Sequence, residues 1–357
     1  MSRNIDKANQ NIFDNIILYY LFSDESVEDS DLFKNRYIFG IKEEKNYLKN
    51  FKIETNSCIN IWNNVILAFA RYQNERYLIS IGIEQLNTPN GIDKVDLNAG
   101  IFTAIVSDFN LMVNKNISAN IVAQKILSLH VDADEYIGHS FNDLIFLFPQ
   151  ITIYKINDQV YSGDINSLEQ MACIVLSHNK ALLSLPFSDN TLESFRELCC
   201  HNYSTIKYDN LLQAITSTNF KFAFLDIYRS IEMLYQVCYI TDIEKNVQNI
   251  DRDVLLKAID THLSWKPNER NSLVKIINSL KVSDKPVLFK QISKVIKETS
   301  GQICVKEDAI INWIYDLRCN IVHLKTYHPT LILTNKNWDT LLYVIIELVS
   351  HAYHLYD

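Results

Sequence analysis

In this 357-residue chain the side chains best suited to chemistry are Arg318, Asn320 and His323. They sit in Asp316-Leu317-Arg318-Cys319-Asn320-Ile321-Val322-His323-Leu324-Lys325. An imidazole titrates near neutral pH and can take the proton of a ribose 2′-hydroxyl. A guanidinium can neutralise charge that builds on phosphoryl oxygens, and an amide can orient either group. The three types together suit cleavage of a phosphodiester without a metal.

Spacing alone is a weak signal. An Arg followed by a His at this distance arises about once by chance in such a composition, and Arg196-Glu197-Leu198-Cys199-Cys200-His201 repeats it. Context separates the two segments. Ile310, Ile311, Ile314, Leu317, Ile321 and Val322 recur at helical spacing around the first, and Asn320 is a polar companion that the second lacks. The pattern predicts a helix over 305–322 that ends at His323. At about 100° per residue, Arg318 and His323 lie roughly 140° apart around it. A helix end, the reach of the arginine or a second subunit must therefore help to aim both at one phosphate. The competing reading is structural: a histidine that bonds the last helix carbonyls and an arginine paired with Asp316.

The segment Leu317–His323 resembles the Arg-x(4–6)-His signature of the HEPN superfamily. A second match lies in Phe220–Tyr235, where Arg229-Ser230-Ile231-Glu232-Met233-Leu234 is similar to a turn of the long early helix of HEPN domains. The nearest flavour is the ApeA-like branch of bacterial phage-defence proteins. The resemblance covers roughly residues 190–357 and none of the rest. Cys319 stands where many members carry Asn or Asp, and Lys325 stands where the nucleotidyltransferase-paired toxins carry Tyr. The resemblance implies that Arg318 contacts the scissile phosphate, that His323 serves in acid–base chemistry and that Asn320 orients them. It implies single-stranded RNA or tRNA as substrate, a cyclic phosphate product, no cofactor, and a site built across a homodimer of the C-terminal domain. Asp226, Arg229 and Glu232 are expected to support the site from the earlier helix. The alternative is a non-catalytic HEPN-type domain that binds a nucleotide or a partner.

Charge bears on the RNA expectation. The net charge of −8 is carried almost wholly by residues 1–185. Residues 266–297 are basic, with Lys266, Arg270, Lys275, Lys281, Lys285, Lys290, Lys294 and Lys297 against Glu269 and Asp284. Lys275, Lys281 and Lys285, with Lys325, are the candidate RNA contacts; lysines so spaced also decorate the solvent face of an amphipathic helix. His130, Asp132, Asp134, Glu135 and His139 gather metal-capable groups but match no ligand spacing. His351 and His354 lack a third ligand at a defensible spacing, so no metal is expected.

Composition sets the frame. With 48% hydrophobic and 21% charged residues the chain reads as globular, and its apolar runs are too short for a membrane span. Seven cysteines without a framework spacing suit thiols in a reducing cytoplasm. The expected class is α+β. A mixed, β-rich regulatory or sensor domain over 1–187, open to a phage-derived or nucleotide trigger, precedes an all-α domain over 188–357. Strands are expected at 36–41, 64–72, 76–83, 144–148, 151–156 and 159–161, with 86–100 a loop. Helices are expected over 166–182, 190–200, 209–240, 251–263, 268–280, 285–298, 305–322 and 336–355, the last packed on the motif helix.

Overall fold

The computed structural model describes residues 2–23, 36–62, 65–128, 136–157, 167–244, 251–263, 265–281, 283, 285–302, 306–323 and 332–357. The chain forms two compact units, Met1–Gly163 and Asp164–Asp357.

The first unit opens with helix α1 (Ile5–Ser23), then α2 (Lys42–Asn50), the strands β1 (Lys52–Trp62), β2 (Val65–Tyr72), β3 (Glu75–Ile81) and β4 (Ile92–Val95), α3 (Ala99–Asp108), the short α4 (Ala119–Val122) and β5 (Ile151–Ile156). The strands make one antiparallel sheet in the order β1-β2-β3-β5-β4. Gln73, at φ 56°, takes the left-handed region in the tight β2–β3 turn. Ala68, Ala70, Ile79, Ile81 and Ile153 pack with Ile12, Phe13 and Ile16 of α1 and with Phe102 and Ile105 of α3. Residues 36–41, expected as a strand, contribute only a single parallel bridge between Ile38 and His139. Residues 144–148, also expected as a strand, are 3-10 turns. The apolar run that reads as β there caps the core with Leu144, Leu147 and Phe148. Strand β4 lies within the expected loop and α3 begins at its end; buried Ala, Gly and Thr make α3 apolar on every side and erase its periodicity. The expected strand 159–161 lies outside the described residues.

Two positions in this unit give measurable effects. Gly100, on α3, lies so close to α2 that a Cβ would fall 1.9 Å from the Glu44 carbonyl oxygen. Gly100→Ala is expected to cost on the order of 1–3 kcal/mol through overpacking, read as a lower urea midpoint. His139 is buried, its ring 5.0 Å from Phe13 and its Nε2 3.4 Å from Arg36 Nη1. Burial, then the Arg36 charge, pushes its pKa down to about 4. The unfolded ring titrates near 6.5, so between the two values the unfolded state binds the extra proton. Stability from this group is complete above about pH 6.5 and declines towards pH 4, by on the order of 3 kcal/mol. His139→Phe is expected to flatten the pH dependence of the urea midpoint across that window; an unchanged slope would assign it to other groups.

The second unit is helical: α5 (Leu168–Ser177), α6 (Lys180–Leu183), α7 (Asp189–Cys200), α8 (Tyr208–Thr216), α9 (Phe220–Glu244), α10 (Arg252–Ala258), α11 (Glu269–Ser279), α12 (Lys285–Ser300), α13 (Glu307–Val322) and α14 (Asn335–Tyr356). The division falls before α5 and not at 187. Helix α5 buries Met171, Ile174 and Val175 and packs on α7 and α8, and Gln170 donates to the carbonyls of Cys199 (2.9 Å) and His201 (3.2 Å). The expected helix 209–240 is two helices, since Ser217 and Asn219 close the first and open the second. The N-cap of α7 is Ser188, whose hydroxyl accepts from Thr191 N. Helix α9 is central and packs on α14, α8 and α11. The main neighbours of α14 are α9, α7 and α12 rather than the motif helix α13, which leans on α11 and α12. Among the described residues, no helix is long and apolar enough to cross a membrane.

Candidate active site

Helix α13 buries Ile310, Ile311, Ile314 and Leu317, as its periodicity requires. Arg318 follows Leu317 around the helix and is carried to the edge of that buried face. Its Nη2 lies 2.6 Å from Oε1 of Glu232 on α9, and its Nη1 lies 3.7 Å from Oε2 of Glu269, the first residue of α11. The arginine thus ties three helices together with a side chain only 17% exposed. The Glu232 contact is an ion pair without the alignment of a hydrogen bond, since Oε1 is buried with no well-directed donor. Burial raises the Glu232 pKa above the ordinary carboxylate range, and the Arg318 charge opposes that rise. Asp316 is not the partner of Arg318: it pairs with Arg270, which also donates to Asn312 Oδ1 (3.1 Å) and stacks 4.6 Å over the Tyr315 ring.

Asn320 and His323 lie on the other side of α13. Three residues apart, they share a face, and both are exposed. His323 caps the helix through its backbone, φ −108° and ψ 91°, with its N–H donating to Cys319 O at 2.8 Å. One chain therefore turns the guanidinium inward to α9 and α11 and the imidazole outward to solvent, as the angular estimate requires.

The supporting residues follow one another at three-residue steps along α9. Arg229 Nη1 donates to Asp226 Oδ1 at 2.5 Å, and burial raises the Asp226 pKa against the pull of Arg229. A shallow depression lined by Asn210, Arg229, Glu232, Met233 and Gln236 opens beside the Arg318 pair. Sequence reasoning joined α9 to the motif but missed Glu269, which read only as an acidic exception in a basic stretch. Its place in the first turn after Asn268 signals favour at a helix N-terminus, not a partner across the bundle.

The basic candidates divide. Lys275 is paired with Asp242 at 2.5 Å and sits 4.1 Å over the Tyr239 ring. Lys285 is paired with Glu307 at 3.0 Å and is nearly buried. These two hold the bundle together and offer no open charge. Lys281 is exposed, and Lys325 lies outside the described residues. In the competing segment, Arg196 Nη1 donates to Ser177 O at 3.0 Å, while the His201 ring lies 4.7 Å from that of His354. Of the acidic cluster at 130–139, only His139 is described. Among the described residues, no group of three or more His, Cys, Asp or Glu side chains is placed to hold a metal.

Set against protein-family models, curated proteins and solved structures, the chain matches none.

Proposed function

We propose that the second unit is a metal-independent endoribonuclease of HEPN type that cleaves single-stranded RNA or tRNA at a site shared between two copies of the chain. The observation that carries this reading is the division of labour on α13: an arginine held in place by Glu232, and an exposed histidine at the end of the same helix. His323 takes the 2′-hydroxyl proton, and the freed oxygen attacks the adjacent phosphorus. The bond to the 5′-oxygen breaks, that oxygen takes a proton from solvent and the imidazolium returns its own to solvent, giving a cyclic phosphate and a 5′-hydroxyl. Nη1 of Arg318 is the loosely held edge of the guanidinium, 3.7 Å from its carboxylate, and a phosphoryl oxygen can displace Glu269 there while Glu232 keeps the fork aimed. Asn320 lies beside His323 and orients it or the ribose. The first unit regulates the reaction in a cytoplasmic defence or toxin system, in answer to a phage-derived or nucleotide signal.

A second reading has its own observation. Arg318 is already flanked by two carboxylates, the setting of a structural cross-link in a non-catalytic domain that binds a nucleotide or a partner. Mixing Arg318→Lys with His323→Ala separates the two. Where each active site takes its arginine from one copy and its histidine from the other, a heterodimer keeps one whole site, and an equal mixture recovers about a quarter of wild-type cleavage. A mixture as inactive as its components contradicts this shared-site arrangement.

A further inference from the structure

The outward face of α12 carries a basic stripe beside the exposed Val287 and Glu298. Its inner face buries Leu288, Phe289, Ile292, Val295 and Ile296 against α13 and α14. The opposite face presents Lys290, Lys294 and Lys297, at steps of four and three, and all three are exposed. Among the described residues, Lys294 Nζ lies 4.0 Å from Glu298 Oε1, the edge of an ion pair, with Lys294 72% exposed. The neighbouring lysines differ in kind, because Lys275 and Lys285 are spent on Asp242 and Glu307.

We infer that the Lys290–Lys294–Lys297 stripe of α12 is the surface that holds the RNA backbone, and that it does so without reading sequence. The inference rests on the nuclease reading for the identity of the polyanion. At about 1.5 Å rise per residue the three ammonium groups spread over roughly 10 Å, a density comparable with one phosphate per roughly 3.4 Å along a stacked strand. Sequence readout needs forked donors, amides or stacking rings, and these positions carry only lysine, a point charge on a flexible stem. The stripe therefore positions the strand, and choice of cleavage sequence must arise elsewhere.

The test is equilibrium binding of fluorescent oligo(A), oligo(U) and a mixed-sequence strand across a salt series, using the full chain and its Lys290→Gln/Lys294→Gln/Lys297→Gln variant. Both are measured in the His323→Ala background to prevent cleavage. Wild-type lysines should give a slope of log affinity against log salt steeper by about two, at roughly −0.7 per phosphate contact on a single strand. The variant should bind at least tenfold more weakly at low salt, equally for all three strands, with an unchanged melting temperature because the residues are exposed. If the parent binds and the variant matches its slope, the stripe is not the contact surface, and the nuclease reading is untouched. Unequal losses among the strands would overturn the claim of sequence blindness. Competition by poly-glutamate as effective as by RNA would overturn the assignment to RNA. Failure of the parent to bind any strand overturns the inference, and RNA cleavage by the chain with His323 intact then shows independently whether the nuclease reading falls too.

Discussion

Replacing His323 by alanine is expected to slow RNA cleavage by about 10²–10⁴-fold, the range for loss of a general acid–base group, while leaving the fold intact. The two halves of this expectation have separate causes. The ring is exposed at the end of α13, and the helix is capped by the His323 backbone N–H bound to Cys319 O, which alanine retains. Little packing is lost, so the melting temperature should move by no more than about a degree or two. A large rate loss without a stability loss is the mark of a group that acts on substrate. Should the variant unfold more readily and cleave normally, the histidine would be a cap and nothing more.

Arg318→Ala is expected to do both kinds of damage. Removing the guanidinium leaves the half-buried carboxylate of Glu232 without its counter-charge and takes a partner from Glu269. Breaking a fully buried pair costs roughly 3–5 kcal/mol. Here the two side chains are 17% and 27% exposed, so a loss on the order of 2–3 kcal/mol is expected. The double variant Arg318→Ala/Glu232→Gln should regain most of it, because the amide carries no charge to strand. Chemical denaturation of the four proteins in a double-mutant cycle gives the coupling directly. Coupling near zero would mean that the 2.6 Å contact is incidental. Arg318→Lys keeps the charge but loses the fork, so it should fold like wild type and cleave poorly. That variant, and not the alanine, is the one with which to judge catalysis.

Which parts of this architecture were legible depended on how each element meets its neighbours. Helices α12 and α13 read well because each is polar on one side, declaring buried faces in Leu288, Ile292 and Val295 and in Ile310, Ile314 and Leu317. The hairpin β2–β3 read well for the complementary reason, two β-rich runs around a tight polar turn. Helix α3 was hidden because burial on all sides removes the period from Ala99-Gly100-Ile101-Phe102, and Leu144–Phe148 misled because an apolar run has no signature of its own shape. At the site, the link from Glu232 to Arg318 was visible only through resemblance between two distant helices. Glu269 and the division of the lysines into paired and open ones were not visible at all. Ion-pair partners across a bundle are fixed by helix packing, and no local spacing records them.

The most direct test is incubation of total RNA and tRNA with purified wild type and His323→Ala in EDTA, across protein concentrations that span dimer formation. The wild type is expected to cleave in chelator, with cyclic phosphate ends and a rate that rises more steeply than the protein concentration, and the equally folded variant is expected to lose that cleavage. Identical RNA patterns from the two proteins at every concentration would contradict it and leave α13 as a structural helix of a binding domain.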